Sequence, residues 1–256
     1  MQCKKTIDMK KILIGTLLLF LPMVIWAQDI ETTDTEVEVE VETTDPFSAP
    51  PSPGRLRIAI HGGYGYRLGE LPQGISEDEL QYLKKMKRGP WVGGDVSWFF
   101  TSQIGAGLRA SNMRVKASAY GTATYEDGSQ KSGLISSQAD IFFIGPQFTT
   151  RLISKSGRGY MIMNASMGYA RISETERVID ETVKMTGGTL GYAFDLGYDF
   201  RVAPGLWLGV QGSMVSGSVG AVKIKNGSVN ETRVLEHDQR ESLFQLSLSG
   251  GIRFNF

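Results

Sequence analysis

In eight segments between residue 55 and the end of the chain, large apolar side chains recur at alternate positions. In the last segment Phe244, Leu246, Leu248, Ile252, Phe254 and Phe256 share one parity, and Gln245, Ser247, Ser249, Arg253 and Asn255 share the other. Successive side chains of a strand point to opposite faces, so the segment predicts a strand with one apolar and one polar face. Residues 56–68 repeat the pattern, with Ile58, Ile60, Tyr64 and Tyr66 opposed by Arg57, His61 and Gly65. Residues 190–202 do so again, and weaker copies run at 92–100, 104–110, 141–152, 160–170 and 206–214. That makes eight predicted strands.

The connections alternate in length. Short ones are expected near Ser102, at Ser154–Gly159 and at Ala203–Gly205, and long ones at 69–90, 111–138, 173–186 and 217–242. Short turns at one end and long loops at the other are the plan of an antiparallel up-and-down membrane barrel. Eleven residues at ~3.3 Å each, tilted by ~40°, span roughly 28 Å, close to the ~25 Å apolar band of such barrels. A soluble barrel also alternates, but its exterior is rich in Lys and Glu. The eight strand cores contain neither. Their polar parity holds Gly, Ser and Ala with a few Arg and Asp, which suits a narrow filled interior. The expected fold is all-β: a closed eight-stranded antiparallel up-and-down transmembrane β-barrel. Pro146, within the fourth strand, cannot donate to a ladder, so a bulge is expected there.

Aromatic residues agree with a membrane setting. Strands two, six and eight end in Trp98 and Phe100, Tyr198 and Phe200, and Phe254 and Phe256, all expected at one membrane interface. With the closing run Gly251-Ile252-Arg253-Phe254-Asn255-Phe256 on the page, residues 55–256 resemble the small outer-membrane β-barrel proteins of the OmpA/OmpX type. The resemblance implies a bacterial outer-membrane location, lipid as the surrounding partner, and handling by the barrel-assembly machinery through the C-terminal strand. Because the sequence ends on the last predicted strand, no peptidoglycan-binding domain is expected after the barrel. The resemblance implies little about function, because the class holds anchors, adhesins, pores and lipid-modifying enzymes.

The N-terminal residues are a different material. Lys4, Lys5, Lys10 and Lys11 precede an apolar run from Ile12 to Ala27, the pattern of a secretory signal peptide over residues 1–27. Cys3 lies before that run, so the mature chain is expected to lack cysteine. Residues 28–54 hold Asp29, Glu31, Asp34, Glu36, Glu38, Glu40, Glu42 and Asp45 without one base, then Pro46, Pro50, Pro51 and Pro53. Like-charge repulsion and proline oppose packing, so a disordered acidic tail in the periplasm is expected, solvated, docked at the arginine-bearing mouth of the barrel, or bound to a basic periplasmic partner.

Composition narrows the chemistry. Lys+Arg and Asp+Glu both number 27, so no nucleic-acid binding by bulk attraction is expected. Two histidines and one cysteine leave few soft ligands, so no metal and no cofactor are expected. The interior charges form one candidate set: Arg57, His61, Asp95, Arg109, Arg151, Asp195, Asp199, Arg201 and Arg253. They read as a lumen charge network that satisfies buried charge, or as a basic constriction selecting anions. His61, the one strand histidine, has no serine-hydrolase motif around it, so no catalytic residue is assigned. Gly62-Gly63-Tyr64-Gly65 opens no predicted helix and so lacks the context of a phosphate loop. In the first long loop Ser76 and Glu79 form a capping box, and Lys84, Lys85, Lys87 and Arg88 close the helix, which is expected as a surface recognition element or lid, or as a helix resting on the rim. Three functions follow: a non-enzymatic structural or surface-binding barrel with an extracellular or periplasmic protein partner, a narrow pore for small solutes, and a lipid-modifying enzyme. The first is expected.

Overall fold

A computed structural model describes residues 53–68, 77–124, 130–178, 181–227, 229–236 and 239–256. The expected signal segment and all but the end of the acidic tail fall outside these residues, as do Ser76 of the capping box and His237. Eight strands close a ring: β1 (Leu56–Arg67), β2 (Arg88–Phe99), β3 (Ile104–Thr124), β4 (Gln130–Ile153), β5 (Gly159–Val178), β6 (Glu181–Ala203), β7 (Leu206–Val219) and β11 (Gln245–Asn255). Each pairs antiparallel with the next, and β11 closes on β1 from Arg57↔Asn255 to Arg67↔Gln245. Over the rows where all eight strands pair, closure leaves no free edge, which a lipid-embedded sheet requires.

The exterior is apolar, as alternation predicts. Phe194 and Leu246 point outward and are 47% and 44% exposed. Ile60, Leu108, Met167, Leu196 and Leu248 are likewise exposed. A continuous belt of this size is not stable against water. The six expected interface aromatics, Trp98, Phe100, Tyr198, Phe200, Phe254 and Phe256, all face outward near the short-turn end, and Phe254 stacks with Phe256. Gly157 and Gly205 take positive φ in two of the short turns, a conformation that glycine adopts without steric cost.

The structure departs from the sequence reading in three respects. The first concerns the long connections at 111–138 and 173–186, which are mostly strand. β3 and β4 pair without interruption up to Thr124↔Gln130, and β5 and β6 up to Val178↔Glu181. Within 217–242, β8 (Ala221–Asn226) and β9 (Val229–Val234) form a hairpin that adds to the upper part of β6, and β10 (Glu241–Ser242) pairs with the top of β7. The second departure is the absence of a bulge at Pro146. Its register with β3 is continuous through Leu108↔Pro146, and on the β5 side Ile144↔Tyr169 and Gln147↔Ser166 keep one register. The missing N–H removes ladder steps without inserting a residue.

The third departure is apolar filling inside the ring. Trp91, Phe99, Phe143, Tyr160, Ile162 and Trp207 are buried there beside the small and charged residues. Gly93 makes room for Trp91: a Cβ at Gly93 would stand 2.6 Å from the indole ring. Helix α1 (Glu77–Met86) turns its Tyr82 and Met86 onto the inner cluster of Trp91, Met113, Val115, Ala117 and Ala139, and the Tyr82 hydroxyl bonds Ser137 at 2.6 Å. It covers part of the inner wall.

Candidate functional site in the bore

Strand parity delivers the charged side chains to the axis. Arg57, His61, Asp95, Arg109, Arg151, Asp195, Asp199 and Arg253 are all buried. Arg57 stands at the centre. Its Nη1 donates to Asp95 Oδ2 at 2.5 Å, and its Nε and Nη2 donate to Asp199 Oδ2 at 3.2 and 3.0 Å. Arg253 Nε lies 3.0 Å from the other oxygen of Asp199, and its Nη1 donates to the Gly209 carbonyl at 2.7 Å. Two arginines therefore grip one aspartate, and a second aspartate balances the first arginine. Such an arrangement satisfies charges that would be costly if left single in a dry interior.

A second pair sits farther from the short turns. Arg109 Nη2 lies 2.9 Å from Asp195 Oδ1, a charge contact whose angle falls short of a hydrogen bond. Asn164 bridges Asp195 and Thr149, and the Arg109 guanidinium lies 5.3 Å from the centre of the Phe143 ring. His61 Nδ1 is 3.2 Å from Ser249 Oγ, which in turn donates to the Gln211 carbonyl. The imidazole also lies 5.0 Å from the Trp91 ring. Among the described residues no carboxylate hydrogen-bonds its Nε2.

Two members of the expected set behave differently. Among the described residues Arg151 pairs with no acid. It lies 3.8 Å over the Phe99 ring, and it donates to the carbonyls of Ser102, Pro53 and Gly54. Its role is thus to tie the start of the barrel to the first short turn. Arg201 is only half-buried and joins no ion pair among the described residues. It lies at the last step of β6, where the register with β7 shifts between Arg201 and Ala203. Lumen parity alone did not distinguish it from Asp199.

Sequence reasoning missed the apolar stories of the bore. At the short-turn end Phe99, Tyr160, Ile162 and Trp207 pack together. At the far end Ile141, Phe143, Ala170, Ile172, Ala193, Val215, Val219, Val222 and Leu243 form a second cluster. Between them lie the charges. Above, at the mouth, Arg67 pairs with Glu241 at 2.5 Å, and burial raises the carboxyl of Glu174 above its ordinary range, with Arg67 opposing that and Glu241 and Glu176 adding to it. Among the described residues, no three of His, Cys, Asp and Glu gather as a metal site.

Comparison with protein families finds no match, and no curated protein matches in sequence. Solved structures do match. The outer membrane protein OprG from Pseudomonas aeruginosa aligns at a TM-score of 0.50 and 12% identity, over 81% of this chain and 98% of that one. Neisserial surface protein A aligns at 0.44 and 12%, over 80% and 100%. The outer membrane protease OmpT from Escherichia coli aligns at 0.44 and 9%, over 80% and 98%. The fold is that of the small outer-membrane β-barrels.

Proposed function

We propose that this chain is a non-enzymatic barrel of the bacterial outer membrane. In this reading the raised strand ends stand outside the cell, where they bind a partner or brace the surface, and the short turns and N-terminal tail lie on the periplasmic side. The observation that carries it is the filling of the bore at successive levels: the Phe99–Trp207 cluster, the Arg57–Asp199–Arg253 charges, and the Phe143 cluster above them. An eight-stranded ring has an interior that side chains fill, so a continuous water path needs polar walls along its whole length. The two apolar clusters argue against the narrow pore. The lack of an orienting acid at His61 among the described residues, and its burial beside Trp91, argue against hydrolysis in the bore. Planar-bilayer recording of the folded chain tests the reading. A silent bilayer is expected from low to high salt; regular unitary steps carried by the wild type and altered in Arg57→Gln would replace this reading with that of a pore.

A further inference from the structure

In the raised part of the sheet the outward face is predominantly basic, whereas the inner face carries both signs. On the outward face one row runs Arg114, Asp140, Ser173, Thr186 and Lys223 across β3, β4, β5, β6 and β8. The next runs Lys116, Gln138, Thr175, Lys184 and Lys225. A third runs Ser118, Ser136, Arg177 and Thr182. Arg171 stands one row below, opposite Phe142. The one acid in these rows is Asp140, and Arg114 already pairs with it at 2.6 Å. Glu174, Glu176, Glu181 and Glu231 take the opposite parity and share the inner face. Lys116, Arg177 and Lys184, with hydroxyls of Ser136, Thr175 and Thr182, line a cleft of about 580 Å³.

Position names the occupant. Tyr169, Phe142 and Ile144 are outward members of the apolar belt on these same strands, and the basic rows begin directly above them. Rows two residues apart climb roughly 5 Å along the membrane normal at ~3.3 Å per residue and ~40° tilt, so three rows begin within the headgroup zone and rise just above it. A lipid whose chains lie on the belt brings its headgroup to these rows without further ordering of the protein.

We propose that this face binds the phosphate groups of an anionic glycolipid in the surrounding leaflet, with Lys116, Arg177 and Lys184 as central ligands. The proposal rests on membrane residence with the raised ends in the outer leaflet. The test uses the full mature chain folded into phosphatidylcholine vesicles that carry bisphosphorylated lipid A or the same lipid A stripped of phosphate. Lipid retained per barrel is read by native mass spectrometry after gentle extraction. The wild type retains the phosphorylated lipid and not the stripped one. The triple variant Lys116→Gln, Arg177→Gln, Lys184→Gln retains about a hundredfold less, in keeping with about 1 kcal/mol from each base near an anionic surface. Arg233→Gln, on the inner face, retains it as the wild type does. Lys184→Gln alone leaves every ladder bond in place and lowers retention severalfold, which keeps the proposal testable where the triple variant fails to fold. Equal retention of stripped lipid, or unchanged retention by both Gln variants, overturns it. So does displacement of the lipid by millimolar inorganic phosphate, or capture of a soluble sulfated oligosaccharide with no lipid A retained. A chain that enters neither vesicle sinks the membrane reading and this proposal with it; insertion without phosphate preference sinks this proposal alone.

Discussion

The lower and upper halves of the barrel solve opposite problems with one strand pattern. In β3, Leu108 faces out and Arg109 faces in; a few residues on, Asn112, Arg114 and Lys116 face out while Met113, Val115 and Ala117 are buried. In β5 the outward Met163 and Met167 give way to Arg171 and Arg177, and the inward Asn164 and Ser166 give way to Ala170 and Ile172. The period of two never breaks. Its phase inverts where the surrounding solvent changes from lipid to water. The lower half is greasy outside and ionic inside, and the upper half is built like a soluble sheet protein. Parity therefore tells which residues share a face, and composition tells which medium that face meets.

Four substitutions probe the contrast. The largest effect is expected in the ionic half. Arg57→Leu strands Asp95 and Asp199 in a dry interior and should cost about 3–5 kcal/mol of folding free energy, read by urea unfolding in vesicles. A loss below about 1 kcal/mol there means that water reaches those aspartates and that the lower bore is not sealed. The second compares the two outward faces with the same new residue. Leu108→Lys places an ammonium against lipid and should cost about 2–4 kcal/mol near mid-depth. Thr175→Lys, also outward but in the raised part, should stay within about 0.5 kcal/mol. Equal penalties would erase the boundary drawn between the halves. The smallest effect concerns pH at the mouth. Burial holds the Glu174 carboxyl above its unfolded value of 4.5, so the folded state binds the extra proton. Stability contributed by the protonated form is complete below that unfolded value and is lost as pH rises through the higher folded one. Glu174→Gln should flatten the stability profile across that window in a pH series of unfolding curves; an unchanged slope would show that Glu174 is solvated.

The membrane half was legible because its outward parity carries large apolar residues without a single Lys or Glu. The closing strand, the short turns at Ser154–Gly159 and Ala203–Gly205, and the outward aromatics all follow from that pattern. The raised half was hidden because a search for one apolar parity loses the strand where the phase turns over, near Ser111 in β3 and near Ala170 in β5. The signal was there in opposite phase: Met113, Val115 and Ala117 alternate with Asn112, Arg114 and Lys116. Phe99 was obscured for a different reason. It stands between Trp98 and Phe100, and three aromatics in a row carry no parity of their own. The charge network was legible as a set of residue types, but its pairing was not. Which arginine meets Asp199 depends on the stagger of strands far apart in sequence, and Arg151 turned to backbone carbonyls instead of a carboxylate.

That grip of Arg151 on Pro53 and Gly54 has a mechanical consequence. The guanidinium comes from β4, three strands around the ring from β1, while Leu56 and Phe256 exchange backbone bonds at the seam between first and last strands. A tug on the chain before Pro53 is therefore divided between opposite walls instead of unzipping that seam from its first rung. The protein carries a strain relief at the point where its leading segment departs, much as a cable is clamped where it leaves its housing.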